Sequence, residues 1–181
     1  PIWIHGLSPA EVQHIAKVSK LSIEESLRRL MAAGLDSIPG GGAEILSDRV
    51  RRIIGIAKGS TSEWLEVMEK AHQLGMRTTA TMMFGHVDQP RHWVGHLRVL
   101  ASIQDETGGF TEFVPLPFVH MEAPIWLQGR ARSGPTFGES LLMHAVARLA
   151  LHPAITNIQA SWVKLGPDGV AAALRAGVND L

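Results

Sequence analysis

Four times along the chain a helical stretch runs into glycine, then an apolar residue, then a strand-like segment. Ala33-Gly34-Leu35 precedes Asp36 to Pro39, Leu74-Gly75-Met76 precedes Thr78 to Phe84, Gly108-Gly109-Phe110 precedes Thr111 to Leu116, and Ala176-Gly177-Val178 closes the sequence. Glycine stops a helix because it takes the left-handed conformation at low cost. The apolar residue after it then starts a buried strand. Ile2 to His5 reads as a first strand, and Ile155 to Val163 as a further one entered through His152-Pro153. Between them the pattern predicts helices at Ala43 to Ile56, Ser62 to Leu74, Pro90 to Glu106, Phe137 to Leu151 and Gly169 to Ala176. Near the start, Ser8-Pro9-Ala10-Glu11 and Ser22-Ile23-Glu24-Glu25 each carry a capping-box pattern, so two helices follow in succession there. Strands alternating with helices imply a parallel sheet with right-handed crossovers.

A doubly wound sheet and a β/α barrel both satisfy this alternation, and the strand faces favour the barrel. Asn157, Gln159 and Ser161 share one face while Ile158, Ala160 and Trp162 share the other; Thr79 and Thr81 lie together with Met83. A strand covered by helices on both sides is apolar on both, whereas a polar face suits a hollow lumen that holds a ligand. A complete barrel takes about 250 residues and eight strands. With 181 residues, five strands and the start of a sixth, the expectation is one incomplete domain over residues 1–181. It is the C-terminal portion of a (β/α)8 TIM-type barrel, truncated at both ends, since the chain opens in a strand without methionine and stops as another strand begins.

Charge and composition narrow the ligands. Seventeen basic residues balance seventeen acidic ones, so nothing points to nucleic acid or an anionic membrane, and small molecules are the expected partners. No apolar run approaches the roughly 20 residues of a membrane span, and no secretory signal opens the chain, which gives a cytoplasmic expectation. Cysteine is absent, which removes disulfides, thiolate metal sites and a cysteine nucleophile from these residues.

Candidate site residues fall where barrel chemistry belongs, at the C-terminal ends of strands. Ser37-Ile38-Pro39-Gly40-Gly41-Gly42-Ala43-Glu44 sets a glycine run between strand and helix, where backbone amides can approach a carboxylate or phosphate; its spacing fits neither a P-loop nor a dinucleotide fingerprint. Gly85-His86-Val87-Asp88 follows the next strand, with His86 as a proton shuttle or ligand donor, or as a structural histidine. Glu112 sits in an otherwise apolar strand, and a carboxylate there is paired, protonated or used. Two readings stay open: a ligand role, or an ion pair on the helix side with Arg98 or Arg148. Ser37, Thr81, Glu112, Gln159 and Ser161 are expected on strands around one cavity, with Thr79 beside them. His92 and His96, four apart, read as helix surface, and no metal site is predicted.

Gly34-Leu35-Asp36-Ser37-Ile38-Pro39-Gly40-Gly41-Gly42-Ala43-Glu44-Ile45-Leu46, Thr79 to His86 and Gln104 to Phe110 together resemble the radical S-adenosylmethionine (SAM) enzymes that build deazaflavin and menaquinone precursors. Phe113 to His120 with Ala123-Pro124, and Asn157 to Gly166, are most similar to the tyrosine-using half of the FO synthase family; the futalosine-pathway relatives differ in these segments and stand as the alternative. The resemblance implies a transferase in which a 4Fe–4S cluster cleaves SAM to a 5′-deoxyadenosyl radical that attacks tyrosine. A 4-hydroxybenzyl-type fragment is then joined to 5-amino-6-(D-ribitylamino)uracil. It also implies a companion radical SAM subunit or domain. The residue reading itself supplies the candidates, Glu112 and His86 as catalytic and Ser37, Gly40, Gly41, Glu44, Thr79, Thr81, Gln159 and Ser161 as cofactor or substrate contacts. Such enzymes hold the cluster with three closely spaced cysteines, which this chain lacks. The expectation is therefore an inactive piece with no bound cluster, able to self-associate through cut barrel edges. A reading of another class is a cluster-independent β/α lyase or small-molecule binding domain.

Overall fold

The computed structural model describes residues 2–55 and 59–181. Its elements in order are α1 (Pro9–Ser19), α2 (Ile23–Ala32), β1 (Ser37–Ile38), α3 (Asp48–Ile54), α4 (Thr61–Gln73), β2 (Arg77–Phe84), α5 (Pro90–Thr107), β3 (Phe110–Pro117), α6 (Pro124–Leu127), α7 (Phe137–Leu151), β4 (Asn157–Ile158) and α8 (Trp162–Arg175). All strands are parallel in the order β1-β2-β3-β4. His5 bridges Ser37 outside β1, and Asp180 bridges Gln159 outside β4, so six chain segments run side by side in sequence order. A doubly wound sheet reverses its order at a switch point; this one does not, which is the order of a β/α barrel.

Local chemistry accounts for the helix starts. Ser60 with Glu63 and Thr136 with Glu139 form reciprocal capping boxes for α4 and α7. Ser22 accepts from the Glu25 amide, but Glu25 turns instead to Arg29 at 2.8 Å, so only half of the box predicted there forms. On β2 the alternation is plain: Thr78, Ala80, Met82 and Phe84 are fully buried under the helices, while Arg77, Thr79, Thr81 and Met83 face the other way. Phe84 meets Trp93 of α5 edge to face at 5.5 Å, and Phe113 of β3 lies in the same core. Two partners of His72 fasten α4 to the sheet and to α5: Thr78 and Thr107, each at 2.7 Å. Gly109 makes this possible, because a Cβ there would stand 2.1 Å from the His72 ring.

Several expectations need correction. Residues 43–47 are loop, not helix; Gly42 and Glu44 take positive φ, and α3 starts only at Asp48. The expected end at Ile56, like Pro1, lies outside the described residues. The strand expected to run to Val163 ends by Ala160, since Ser161 caps α8 and Trp162 is helical and 64% exposed, not on the covered face. Helix α8 thus starts before Gly169 and breaks at Gly166, where φ is 69° and Pro167 follows. His96 is not helix surface but fully buried. No helix among the described residues is long and apolar enough to cross a membrane.

Candidate functional site

The glycine loop after β1 is fastened from every side. The Gly40 amide donates to Thr79 Oγ1 at 3.1 Å, and Thr81 Oγ1 donates to the Gly40 carbonyl at 2.6 Å. Gly40 lies so close to β2 that a Cβ would stand 2.7 Å from the Thr79 carbonyl oxygen and the Thr81 nitrogen. Arg51, 2% exposed, donates to the carbonyls of Gly42, Ala43 and Gly59. Trp64 Nε1 donates to Gly41 at 3.4 Å. From the far end, the Leu46 amide donates to His96 Nδ1 at 3.0 Å, so Nε2 carries the proton and donates to the Thr81 carbonyl at 3.1 Å. Burial holds His96 neutral, its pKa pushed down to about 3 against the weaker opposing pull of the Thr81 carbonyl.

The rest of the upper rim collects around Glu44. Its carbonyl accepts from the Met83 amide at 2.8 Å, and its carboxylate acts electrostatically on His86 and on Lys164. Lys164 Nζ donates to the Pro117 carbonyl at 3.0 Å beside a cleft of about 250 Å³ at the end of β3; burial lowers its pKa. His86 is shut in: its side chain is 1% exposed, Nε2 donates to Met83, and Phe118 covers the ring edge to face at 5.7 Å. Its Nδ1 lies 3.3 Å from Asp88, whose carboxylate accepts from the amides of Gly85 and His86 and from Trp93 Nε1. Burial keeps His86 below its ordinary pKa despite that carboxylate. In this arrangement the ring is a brace for the β2–α5 turn, with no open path to a ligand.

Lower on the same strands lies a second cleft of about 270 Å³, edged by Trp3 and His5 and walled by Ser37, Arg77, Thr79, Thr111 and Glu112. Ser37 Oγ meets Trp3 Nε1 at 3.1 Å and His5 Nδ1 at 2.6 Å. Glu112 faces Asp180 and not an arginine: burial first, then a hydrogen bond and charge from Asp180, raise its pKa. Arg148, the partner considered for an ion pair, donates to the Gly177 and Thr156 carbonyls and to Asn179.

The structure thus brings Ser37, Thr79 and Glu112 to one cleft, with Gly40, Gly41 and Glu44 in the loop above it and Thr81 holding that loop from β2. Gln159 sits between, bridged to Asp180, whereas Ser161 caps a helix and does not lie on a strand. Asp180, Lys164, Arg51 and His96 escaped the sequence reading as site residues. Asp180 follows the last glycine-apolar step, so the repeated pattern itself marked where it would lie; for Arg51, one of several arginines on a short helix, no signal stood out.

Residues 8–100 match the family model described as the Radical SAM superfamily, and residues 107–181 match that described as the CofH/MqnC C-terminal region. The chain is 57% identical over 178 residues to the FO synthase of Streptomyces coelicolor, covering 98% of this chain and 20% of that protein. It is 53% identical to the FO synthase of Mycobacterium leprae, covering 21% of it. It is 52% identical over 180 residues to the 5-amino-6-(D-ribitylamino)uracil–L-tyrosine 4-hydroxyphenyl transferase of Methanopyrus kandleri, covering 49% of that protein. The chain therefore spans about a fifth to a half of the curated relatives it matches.

Proposed function

The chain belongs to the radical SAM superfamily, and on that premise we propose that it is part of a transferase joining a tyrosine-derived fragment to 5-amino-6-(D-ribitylamino)uracil in FO biosynthesis. The observation that carries this is the identity of 52–57% across nearly the whole chain to proteins with those names. Chance likeness in a common fold does not extend so evenly. The superfamily brings SAM and a 4Fe–4S cluster to the parent enzyme. The donor chemistry here does not fit the cluster: the chain has no cysteine, and no metal-holding group of three His, Asp or Glu stands among the described residues. Its ligands come from outside these 181 residues.

What this chain contributes is shape and hydrogen bonding. The pinned loop from Gly40 to Leu46 offers a fixed backbone surface for SAM, and Glu44 and Lys164 set the charge of the rim. Glu112 acts in the lumen, while His86 acts by holding the turn that closes β2. The companion radical SAM subunit or domain of the family is a further partner. Ile2, Trp3 and Ile4 are 89%, 68% and 48% exposed beside the outermost His5 bridge, so the isolated chain self-associates at that edge; a monodisperse monomer by light scattering at micromolar concentration speaks against this.

A chimera tests the function. Replacing the matching 178 residues of the Streptomyces coelicolor FO synthase with this chain is expected to preserve FO formation, read by its fluorescence. A folded chimera that cleaves SAM but makes no FO overturns the assignment. The 181-residue chain alone, after iron–sulfur reconstitution, is expected to release no 5′-deoxyadenosine.

A further inference from the structure

The lower cleft meets the pinned loop at Thr79 but differs from it in chemistry. Arg77 is the first residue of β2, and Thr111 and Glu112 are the second and third of β3, so the cleft lies at the N-terminal ends of the strands. From Thr79 to the end of β2 at Phe84 is about 17 Å at a strand's rise per residue. Barrel chemistry occurs at that far end. A group held in the cleft is therefore a part of the substrate that does not react.

The walls say what kind of group. Thr79 Oγ1 takes the Gly40 amide and keeps its own O–H for another acceptor. Thr111 Oγ1 donates to the Thr78 carbonyl and keeps its lone pairs. Arg77 spends one guanidinium N–H on the Gly108 carbonyl and has others to give. Glu112 and Asp180 are two carboxyl groups in contact, and burial followed by that contact raises the Glu112 pKa, which favours its donor form beside acceptor oxygens. Alternating donors and acceptors at several heights match a chain of hydroxyls, not an aromatic ring.

We propose that this cleft, with Asp180 as the hydrogen-bond partner of Glu112, is a polyol subsite that seats the ribityl chain of a ribitylaminouracil. The inference rests on the acceptor named above. Of the moieties in that reaction, the tyrosine-derived 4-hydroxybenzyl-type fragment is transferred and the uracil receives it; the ribityl chain is the one left unchanged. Anchored there, it orients the uracil upward toward the rim. Binding energy from a remote, non-reacting part then positions the reacting one.

Calorimetric titration of the 181-residue chain with 5-amino-6-(D-ribitylamino)uracil and with 5,6-diaminouracil, which lacks the ribityl chain, tests this without turnover. The ribityl compound is expected to bind at least tenfold more tightly. Glu112→Leu is expected to abolish that preference and Glu112→Gln, which still hydrogen-bonds, to keep most of it. Asp180→Leu, at a half-exposed position where folding is not at stake, is expected to reduce the preference at least threefold. Equal affinity of the wild-type chain for the two compounds overturns the subsite and leaves the transferase assignment standing, as does a preference that survives Glu112→Leu and Asp180→Leu unchanged. Binding of neither compound overturns the subsite, and FO formation by the chimera then shows whether the assignment falls with it.

Discussion

Along the loop that follows β1, side chains are spent on holding backbone: Thr79 and Thr81 on Gly40, Arg51 on three carbonyls, and His96 between Leu46 and Thr81. In the cleft below, Glu112 holds no backbone group among the described residues and meets another carboxyl, and Arg77 and Thr111 keep spare hydrogen-bonding capacity. The rim is rigid because its polar groups are satisfied internally. The lower lumen is receptive because its groups are not. Changes in the first region should therefore be read in stability, and changes in the second in binding and titration.

The sharpest way to break this contrast is at Gly40. Gly40→Ala pushes a methyl group against β2 backbone that cannot yield, with an expected loss of about 3 kcal/mol or more in denaturant unfolding. A loss below about 1 kcal/mol would mean that the loop is not pinned. His96→Leu keeps the volume but leaves the Leu46 amide and the Thr81 carbonyl unpaired in the core, for roughly 2–3 kcal/mol. Thermal melts of His96→Leu beside wild type check this.

Acid separates the two regions by sign. His96 and His72 have folded pKa values of about 3 and about 4, well below the ordinary 6.5, chiefly through burial. The unfolded chain therefore takes up protons first as the pH falls below 6.5, and stability drops from there toward the folded values. At pH 5 this amounts to roughly 2 kcal/mol for His96 and less for His72, whose ring is nearer solvent. Glu112 behaves oppositely: its folded pKa is raised, so the stability from its protonated form is full below 4.5 and is lost as the pH climbs through the folded value. Glu112→Gln is expected to change neutral-pH stability by less than about 0.5 kcal/mol. Any change should be a gain, with a flatter stability profile above pH 5. A large loss at neutral pH would show that Glu112 is structural after all.

The repeated glycine-apolar step made the parallel order legible, and β2, α5, β3 and α7 lie within a residue or two of where periodicity puts them. The polar face of β2 is the one turned away from the helices. The misreadings share a cause: local pattern cannot see what tertiary contacts supply. His92 and His96 are indistinguishable by spacing, yet one sits at the helix margin and the other is buried, because only the second lies under the loop whose Leu46 amide needs an acceptor. Asn157 to Trp162 alternates perfectly, yet the chain leaves the sheet at Ala160 because Ser161 caps a helix. Asp180 became part of the site only through folding, which brings the chain's last residues beside a strand almost 70 positions earlier.

The register of β3 carries one more consequence. Thr78 pairs with Phe110 but Ala80 with Phe113, so β3 spends three residues where β2 spends two. Both phenylalanines stay buried, and the extra residue lets Glu112 face the lumen. The two sides of this bulge therefore carry opposite odd–even parity, and no single alternation written across it can be right. Losing one residue between Phe110 and Phe113 would restore two residues against two, leaving Phe113 opposite Ala80 on the helix side while the lumen gives up one of Thr111 and Glu112. Losing one after Phe113 has no spare residue to absorb it and would turn Leu116 toward the helices. The strand can therefore shorten at the bulge without disturbing its buried side, and only the lumen would register the loss.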